Sequence, residues 1–314
     1  MYRKFMLITG HTGFIGQALV KTLAEYPLKL LGRRILADQT GEFFQKDLNA
    51  DEDYAAALQD VSVVIHTAAH NHVMGDMSVS TLNAYQSVNV DGTINLARQA
   101  AAAGVHRFIF ISSIKVNGES TEPGQSFNAQ DASKPSDPYG VSKADAEKAL
   151  RQLSSETGME VVIIRPPLVY GPGVKANFEH MLRIAKMNLP LPLGAINNKR
   201  SMVALENLVD LIKTCISHPK AAGNTFLVSD DRDLSTTELL RLMVQAYGKK
   251  PRLLPVPMSW LRLVGRLTGR HQVVSRLCGS LQVDITHTKA VLGWSPPVTV
   301  EQSIKSCIMK EDLC

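Results

Sequence analysis

The chain has 314 residues, of which 45% are apolar and 20% charged, so it is long enough to bury a large core and to acquire a second lobe. No window approaches the roughly 18 uncharged apolar residues of a bilayer span, and Met1 to Met6 runs straight into the first apolar stretch; neither an integral membrane segment nor a signal peptide is expected, and the expected compartment is the cytoplasm. The net charge of +5 (pI about 9.0) is concentrated late: Arg241 to Ala290 holds nine Lys/Arg against one acid, Asp284, so that segment carries +8 and the remainder −3, which argues against nucleic acid as a partner.

Taken in order, Phe5–Ile8 is an apolar run that meets glycines at Gly10, Gly13 and Gly16, after which Phe14, Ile15, Ala18, Leu19 and Leu23 recur at helical spacing. This reads as strand, tight turn and helix. Backbone N–H groups of Gly10, Thr12, Gly13, Phe14, Ile15 and Gly16, together with the helix dipole, form an expected cradle for a dinucleotide pyrophosphate. Leu28–Arg34 reads as the second strand, and its end is informative. A strand selecting NAD commonly ends in an acid that binds the adenosine ribose hydroxyls, whereas Arg there accommodates a 2′-phosphate. Here Arg33 and Arg34 stand in place of the acid, so NADP(H) is the expected coenzyme, with NAD(H) as the alternative. Asp47 and Leu48 are expected to border the adenine. Val61–His70 reads as a buried parallel strand ending in Thr67, Ala68 and Ala69, small enough for a cofactor to lie close. A helix beginning at Asn89, a stop at Gly104 and a strand over Val105–Ser113 continue the alternation. The expected fold class is therefore α/β, a Rossmann-like doubly wound parallel sheet with a smaller carboxyl-terminal substrate lobe and ligands at the carboxyl ends of the strands.

Ser113 closes that strand, and Tyr139 and Lys143 follow in Tyr-Gly-Val-Ser-Lys, four apart and hence on one face of a helix. For a tyrosine to act as acid and base near neutral pH, its pKa must fall from about 10 by two to three units, about 3–4 kcal/mol. One ammonium at about 5 Å with an effective dielectric near 20 supplies about 3 kcal/mol. Lys143 is expected to lower Tyr139 in this way, with the Ser113 hydroxyl polarising a substrate oxygen alongside.

With these motifs the chain resembles the extended short-chain dehydrogenase/reductase family, in the branch of nucleotide-sugar epimerases, dehydratases and reductases. The resemblance runs nearly end to end, through TGHTGFIG, HTAAH, NVDGTINL, FISSIKVNGE, YGVSK, IIRPPLVYGPG, KRSMVALENLVD and LGWSPP. It implies that Ser113 and Tyr139 are catalytic, that Lys143 also holds the nicotinamide ribose, and that Asn89 and Pro166 lie on the cofactor side. It further implies that Asn177 holds the base and Arg200 the diphosphate of a UDP-sugar, with Arg276 beside the diphosphate and His70 lining the sugar pocket. Two departures weaken the case for epimerisation: Arg165-Pro166-Pro167-Leu168 stands where sugar 4-epimerases read roughly RxxN, and Asn117 replaces the Tyr of SSxxVYG. Within the branch the chain looks most like bacterial enzymes acting at the 4-position of UDP-N-acetyl-6-deoxyhexoses for surface polysaccharide. The implied activity is NADPH-dependent reduction of a 4-keto group. The alternatives are a UDP-sugar 4-epimerase with retained NAD, a steroid- or flavonoid-type alcohol dehydrogenase, and a non-catalytic NADP-sensing regulator. Analogy with the family also implies a homodimer.

The expected organisation is a dinucleotide-binding domain over 1–170, rejoined by 200–230, and a substrate lobe over most of 171–314, with a helix over Val203–Cys215 and a strand over Asn224–Ser229. Gly118–Asp137 reads as a substrate-side loop able to serve as a lid. His66, His70 and His72 invite a metal reading, but local carboxylate partners are absent, so no metal is expected; His70, Asn71 or His72 fits a sugar pocket better. Met74, Met77 and Met181 read as gap-fillers, and Cys215, Cys278, Cys307 and Cys314 as reduced structural thiols. In Met258–Arg270, arginines recur at 262, 266 and 270 among Trp260, Leu261, Leu263, Val264 and Leu267. Gly265 and Gly269 cost such a helix about 1 kcal/mol each. It reads as a cover helix with solvated arginines, as a donor of Arg270 or Arg276 to the diphosphate, or as a weak contact with an anionic membrane surface.

Overall fold

The computed structural model describes residues 4–70, 79–174, 177–269 and 271–311. Among these, the strands are β1 (Phe5–Thr9), β2 (Leu28–Gly32), β3 (Glu42–Gln45), β4 (Val61–His66), β5 (Arg107–Ile111), β6 (Glu160–Arg165), β7 (Leu168–Tyr170), β8 (Met202–Ala204) and β9 (Thr225–Leu227). Seven of them form one parallel sheet in the order β3-β2-β1-β4-β5-β6-β9, while β7 and β8 pair separately. The chain reverses direction across the sheet between β1 and β4, and the crevice at their carboxyl ends is where such folds take ligands.

Successive side chains of a strand point to opposite faces, and β1 shows why both faces must be covered. Met6 and Ile8 enter a core completed by Leu19 of helix Phe14–Thr22 and by Leu208 and Ile212 of helix Leu205–Ser217. Leu7 enters the opposite core, with Leu96 of helix Thr93–Ala102 and Leu150 of helix Pro138–Thr157. A further core, containing Tyr170, Phe178, Leu182, Leu240, Met243 and Ile304, is built by helices Asn177–Met187, Thr236–Ala246 and Val300–Glu311 against β7 and β8. Among the described residues no helix is long and apolar enough to cross a membrane.

Several expected boundaries move. The second strand ends at Gly32, leaving Arg33 and Arg34 exposed in the following loop, and β4 stops at His66. Helix Leu205–Ser217 begins after the strand Met202–Ala204, which takes Val203 and Ala204 from its expected start. The largest difference precedes Asn89. Helical backbone already runs from Val79 and passes through a π-helical segment, Tyr85–Gly92, into Thr93–Ala102. The wider turn breaks the 3.6-residue period, so the apolar pattern does not carry across it. Gly92 lies where a Cβ would come 2.7 Å from the Leu48 carbonyl carbon, and its absence lets the Asp47–Leu48 loop press on this helix. Asn71, His72, Met74, Met77 and Arg270 lie outside the described residues.

Candidate active site

Gly10 leaves β1 with φ +71°, and a Cβ there would stand 2.6 Å from Ala68 N and from Thr67 Oγ1. A Cβ on Gly16 would stand 2.1 Å from Gly10 O, and Gly13 N donates to Gly10 O at 2.8 Å. Glycine at these positions thus brings the turn, β4's end and helix Phe14–Thr22 into contact. Gly13 caps that helix in an extended conformation and no side chain satisfies its first N–H groups, which fits an anionic phosphate. A cavity of about 950 Å³ opens beside Thr12, Gly13 and Phe14, bounded opposite by Pro172 and Leu205; Ser113, Tyr139 and Lys143 do not line it.

The carboxyl end of β2 holds an arrangement that the sequence reading did not single out. His11 is buried, its Nδ1 lies 2.7 Å from Gln39 Oε1, and Gln39 Nε2 donates to His11 O at 2.6 Å. With Nδ1 as donor, Nε2 is a buried acceptor with no hydrogen-bond partner; burial also lowers the imidazole pKa. A Cβ on Gly32 would come 2.9 Å from His11 Nε2. An acidic side chain at the end of β2 and the His11 imidazole therefore compete for one space. Arg33 and Arg34 are exposed beside it and make no ion pair among the described residues. Asp47 is also exposed and Leu48 half-buried.

The reacting end is assembled from β4, β5 and helix Pro138–Thr157. Asp137 starts that helix by accepting from Gly140 N at 2.7 Å, and it also pairs with Lys115. A Cβ on Gly140 would sit 2.8 Å from Lys115 O, so the helix closely abuts the short 3-10 turn Ile114–Val116. Ser113 caps that turn, its Oγ accepting from Lys115 N at 3.2 Å, while Pro166 O accepts from Ile114 N at 3.0 Å. Lys143 is 1% exposed, donates from Nζ to Ile111 O at 2.9 Å and lies 4.5 Å from the centroid of Phe110. Asn89 clasps the end of β4 to the same helix: its Oδ1 accepts from His70 N at 2.6 Å, and its Nδ2 donates to Ser142 Oγ at 3.1 Å. Ser142 Oγ in turn donates to Tyr139 O at 2.8 Å. The Tyr139 ring meets Tyr85, 6.1 Å between centroids, and Tyr85 meets His70 at 5.3 Å. Ser113, Tyr139, Lys143, Asn89, Pro166 and His70 are thus joined around the carboxyl ends of β4, β5 and β6. Tyr85 was not foreseen, because it lies on the π-helical segment.

The electrostatics correct the expected tyrosine shift. Burial holds Lys143 at about 7, opposed by the neighbouring Glu147 carboxylate, and burial raises Tyr139, with further upward pushes from Asp137 and Tyr85. A lysine only partly charged near neutrality lends less than the full Coulomb effect, and desolvation of a buried group reaches several pH units. At Tyr139 burial is the largest effect and its direction is upward.

Behind Lys143 lies a buried network. Arg165 donates from Nε and Nη2 to Glu147 at 2.8 and 2.6 Å, and from Nη1 to Asn117 Oδ1 at 2.9 Å; Ser112 Oγ donates to Glu147 Oε1 at 2.6 Å. Asn117 Nδ2 then donates to Asn128 O at 3.1 Å, pinning the substrate-side loop. That loop is also held by Thr121 N to Ser280 O at 3.0 Å and Phe127 N to Gln282 O at 2.9 Å. Arg200 is half-buried, with its pKa lowered by burial, and its Nη1 donates to Arg276 O at 2.8 Å. Arg276 and Asn177 are exposed, the latter opening its helix. His66 is structural: its ring bonds Thr9 Oγ1 at 2.8 Å and Thr93 Oγ1 at 3.0 Å, and burial holds it neutral with a pKa of about 3. Among the described residues no three His, Cys, Asp or Glu are grouped to hold a metal.

Residues 6–229 match the model of the NAD dependent epimerase/dehydratase family. The chain is 50% identical over 307 residues to a Vibrio cholerae protein named UDP-glucose 4-epimerase, with 96% of this chain and 94% of that one covered. It is 28% identical over 329 residues to N-acetyl-alpha-D-glucosaminyl-diphospho-ditrans,octacis-undecaprenol 4-epimerase of Escherichia coli O157:H7, covering 98% and 95%. Among solved structures, UDP-glucuronic acid 4-epimerase from Bacillus cereus in complex with NAD shares the fold, with a TM-score of 0.77 at 20% identity over 98% of this chain and 99% of that one.

Proposed function

The chain belongs to the NAD dependent epimerase/dehydratase family, and on that footing we propose that it is a UDP-sugar 4-epimerase. The observation that carries this reading is the 50% identity, over 96% of the chain, to the Vibrio cholerae protein named UDP-glucose 4-epimerase. The glycine turn with its uncapped helix end fits a dinucleotide pyrophosphate. When bound, the nicotinamide supplies a hydride acceptor and donor for C4. Tyr139 takes the O4 proton as C4 is oxidised, and returns a proton to O4 when the carbonyl is reduced on its other face. Ser113 Oγ accepts from Lys115 N, which leaves its own proton to donate to the same sugar oxygen and stabilise the charge that develops there. Lys143 offsets charge on Tyr139 and holds the ribose. Asn89 fixes the helix that carries both, and His70, Asn177, Arg200 and Arg276 bind the UDP-sugar.

For the epimerase the coenzyme is NAD(H), retained through turnover. Arg33 and Arg34, beside a strand end where His11 leaves no room for an acid, support NADP(H) instead, and with it a second reading, an NADPH-dependent reductase of a 4-keto UDP-N-acetyl-6-deoxyhexose for surface polysaccharide. The two differ in coenzyme use. An epimerase recovers its coenzyme each turnover, and a reductase consumes it stoichiometrically. The test is to incubate the purified protein with UDP-glucose and UDP-N-acetylglucosamine without added coenzyme, and in parallel with NADPH and the 4-keto sugar nucleotide, reading products by NMR. Inversion at C4 without added coenzyme supports the first reading. NADPH loss matching 4-keto reduction, with no inversion, replaces it with the second, and no conversion in either arm refutes both.

A further inference from the structure

Helix Met258–Leu267 is amphipathic in an unusual sense, because its apolar stripe points away from the protein. Trp260, Leu263, Val264 and Leu267 are 63%, 51%, 53% and 79% exposed. At 100° per residue these four positions fall within an arc of about 100°. Of the ten helix residues only Gly265 is buried, with Met258 and Leu261 half-buried on the same side, so the helix turns that side inward and presents its largest apolar side chains outward. Val273, on the adjoining helix His271–Cys278, is 54% exposed and extends the patch. Arg262 and Arg266 occupy a neighbouring side of the first helix and line a cavity of about 370 Å³ against the second. The cover-helix reading would bury this stripe; the structure leaves it outside.

We propose that this helix pair is a docking surface for an anionic lipid bilayer. A short helix with Trp and aliphatic residues on one face and arginines beside it matches the pattern of helices that lie in the bilayer interface, where Trp is enriched. The charge selects among occupants. Between Arg241 and Val283 the sequence has eight Lys/Arg and no Asp or Glu. A second copy related by a two-fold axis would set this patch against itself and oppose cation to cation with no acid from the segment to answer. An anionic headgroup layer supplies the missing negative charge, each Lys or Arg near the surface adding to the attraction. The pair is also fastened to the substrate side of the molecule, since Arg200 Nη1 donates to Arg276 O on the second helix. A protein held this way would work at the membrane surface without a spanning segment.

The test uses the full chain and vesicles of phosphatidylcholine alone or mixed with phosphatidylglycerol, at low and physiological salt. Co-sedimentation with the mixed vesicles is expected, weakened by salt and absent with phosphatidylcholine alone. Trp260 fluorescence should shift to the blue on binding, and the signal is assignable because the other tryptophan, Trp294, is 5% exposed. Leu263→Ser/Leu267→Ser should lower vesicle affinity at least tenfold, and Arg262→Gln/Arg266→Gln about tenfold with a smaller salt dependence. All these side chains are exposed, and unchanged thermal unfolding verifies that the variants fold. No pelleting with mixed vesicles at either salt overturns the proposal, as does equal pelleting of Leu263→Ser/Leu267→Ser. Self-association that this variant abolishes, without vesicle binding by the parent, also overturns it and assigns the patch to a second copy.

Discussion

Replacing Lys143 by Met should stabilise the protein while abolishing its turnover, and the size of the effect follows from the burial of the ammonium. The folded-state pKa of about 7 lies below the ordinary 10.5, so the unfolded chain holds more protons on this group at pH values between about 7 and about 10.5. Stability contributed by the lysine therefore rises with pH from about 7 to about 10.5, and its cost is full below that window. Roughly 3.5 pH units at 1.36 kcal/mol each set that full cost at about 5 kcal/mol, falling to about 4 at pH 7 and about 2 at pH 9. Met keeps the unbranched stem over Phe110 but removes the bond to Ile111 O, a loss of about 1 kcal/mol. The net gain is then about 3 kcal/mol at pH 7 and about 1 at pH 9. For a chain of this size it appears as a Tm rise of about 6 °C at pH 7 and about 2 °C at pH 9, at about 2 °C per kcal/mol. Urea unfolding of both proteins at the two pH values measures the difference directly. A Lys143→Met protein less stable than the parent at pH 7, or a difference that does not shrink by pH 9, refutes the reasoning.

Three further outcomes are expected. Tyr139→Phe should cut turnover about 10³-fold while UDP-sugar affinity, read by calorimetry, moves only a few-fold; equal loss of binding would mean that the hydroxyl holds substrate and does not transfer its proton. Arg33→Ala should weaken NADPH binding about tenfold and leave NADH nearly unchanged, and parallel losses for both coenzymes would remove Arg33 from 2′-phosphate recognition. Arg165→Met leaves the buried Glu147 carboxylate with only the half-exposed Arg151 as a guanidinium partner and should cost about 3 kcal/mol, whereas Arg165→Met/Glu147→Met should recover most of it; a double variant as unstable as the single one would show that packing, not charge, holds this site.

The sheet was legible because its signals are local. Phe5–Ile8 and Val63–Ile65 are apolar runs, and Gly10 and Gly104 mark the ends of the first strand and of helix Thr93–Ala102. Local signals also placed Tyr139 and Lys143 one helical turn apart. What defeated the reading was phase and direction. The π-helical segment shifts the period before Asn89, which hid both the helix from Val79 and the tyrosine it brings to Tyr139. In Met258–Leu267 the arginine and apolar stripes were both visible, but which one faces solvent depends on what the helix rests against, and it rests on Gly265.

The chemistry of the site was hidden for a different reason, since it depends on residues far apart in sequence. The missing acid after β2 could be read from the chain, yet its replacement by His11, held by Gln39 and facing Gly32, exists only once β1 and β2 lie side by side. The same holds for the departure at Asn117. Read in the sequence it is one changed letter in a motif; in the structure it is bonded at 2.9 Å to Arg165, the retained first residue of the other motif, whereas the changed residue there, Leu168, lies on β7 and is 44% exposed. Arg165 neutralises Glu147, the carboxylate that works against the burial of Lys143, and Asn117 reaches from the turn beside Ser113 to Asn128 in the substrate-side loop. The Asn117 amide accepts from Arg165 with its oxygen and donates to Asn128 O with its nitrogen. Asn117 bonds both the network behind the lysine and the loop at Asn128, so Asn117→Ala should change sugar-nucleotide affinity and the pH dependence of turnover together. Movement of one without the other would show that Asn117 does not couple them.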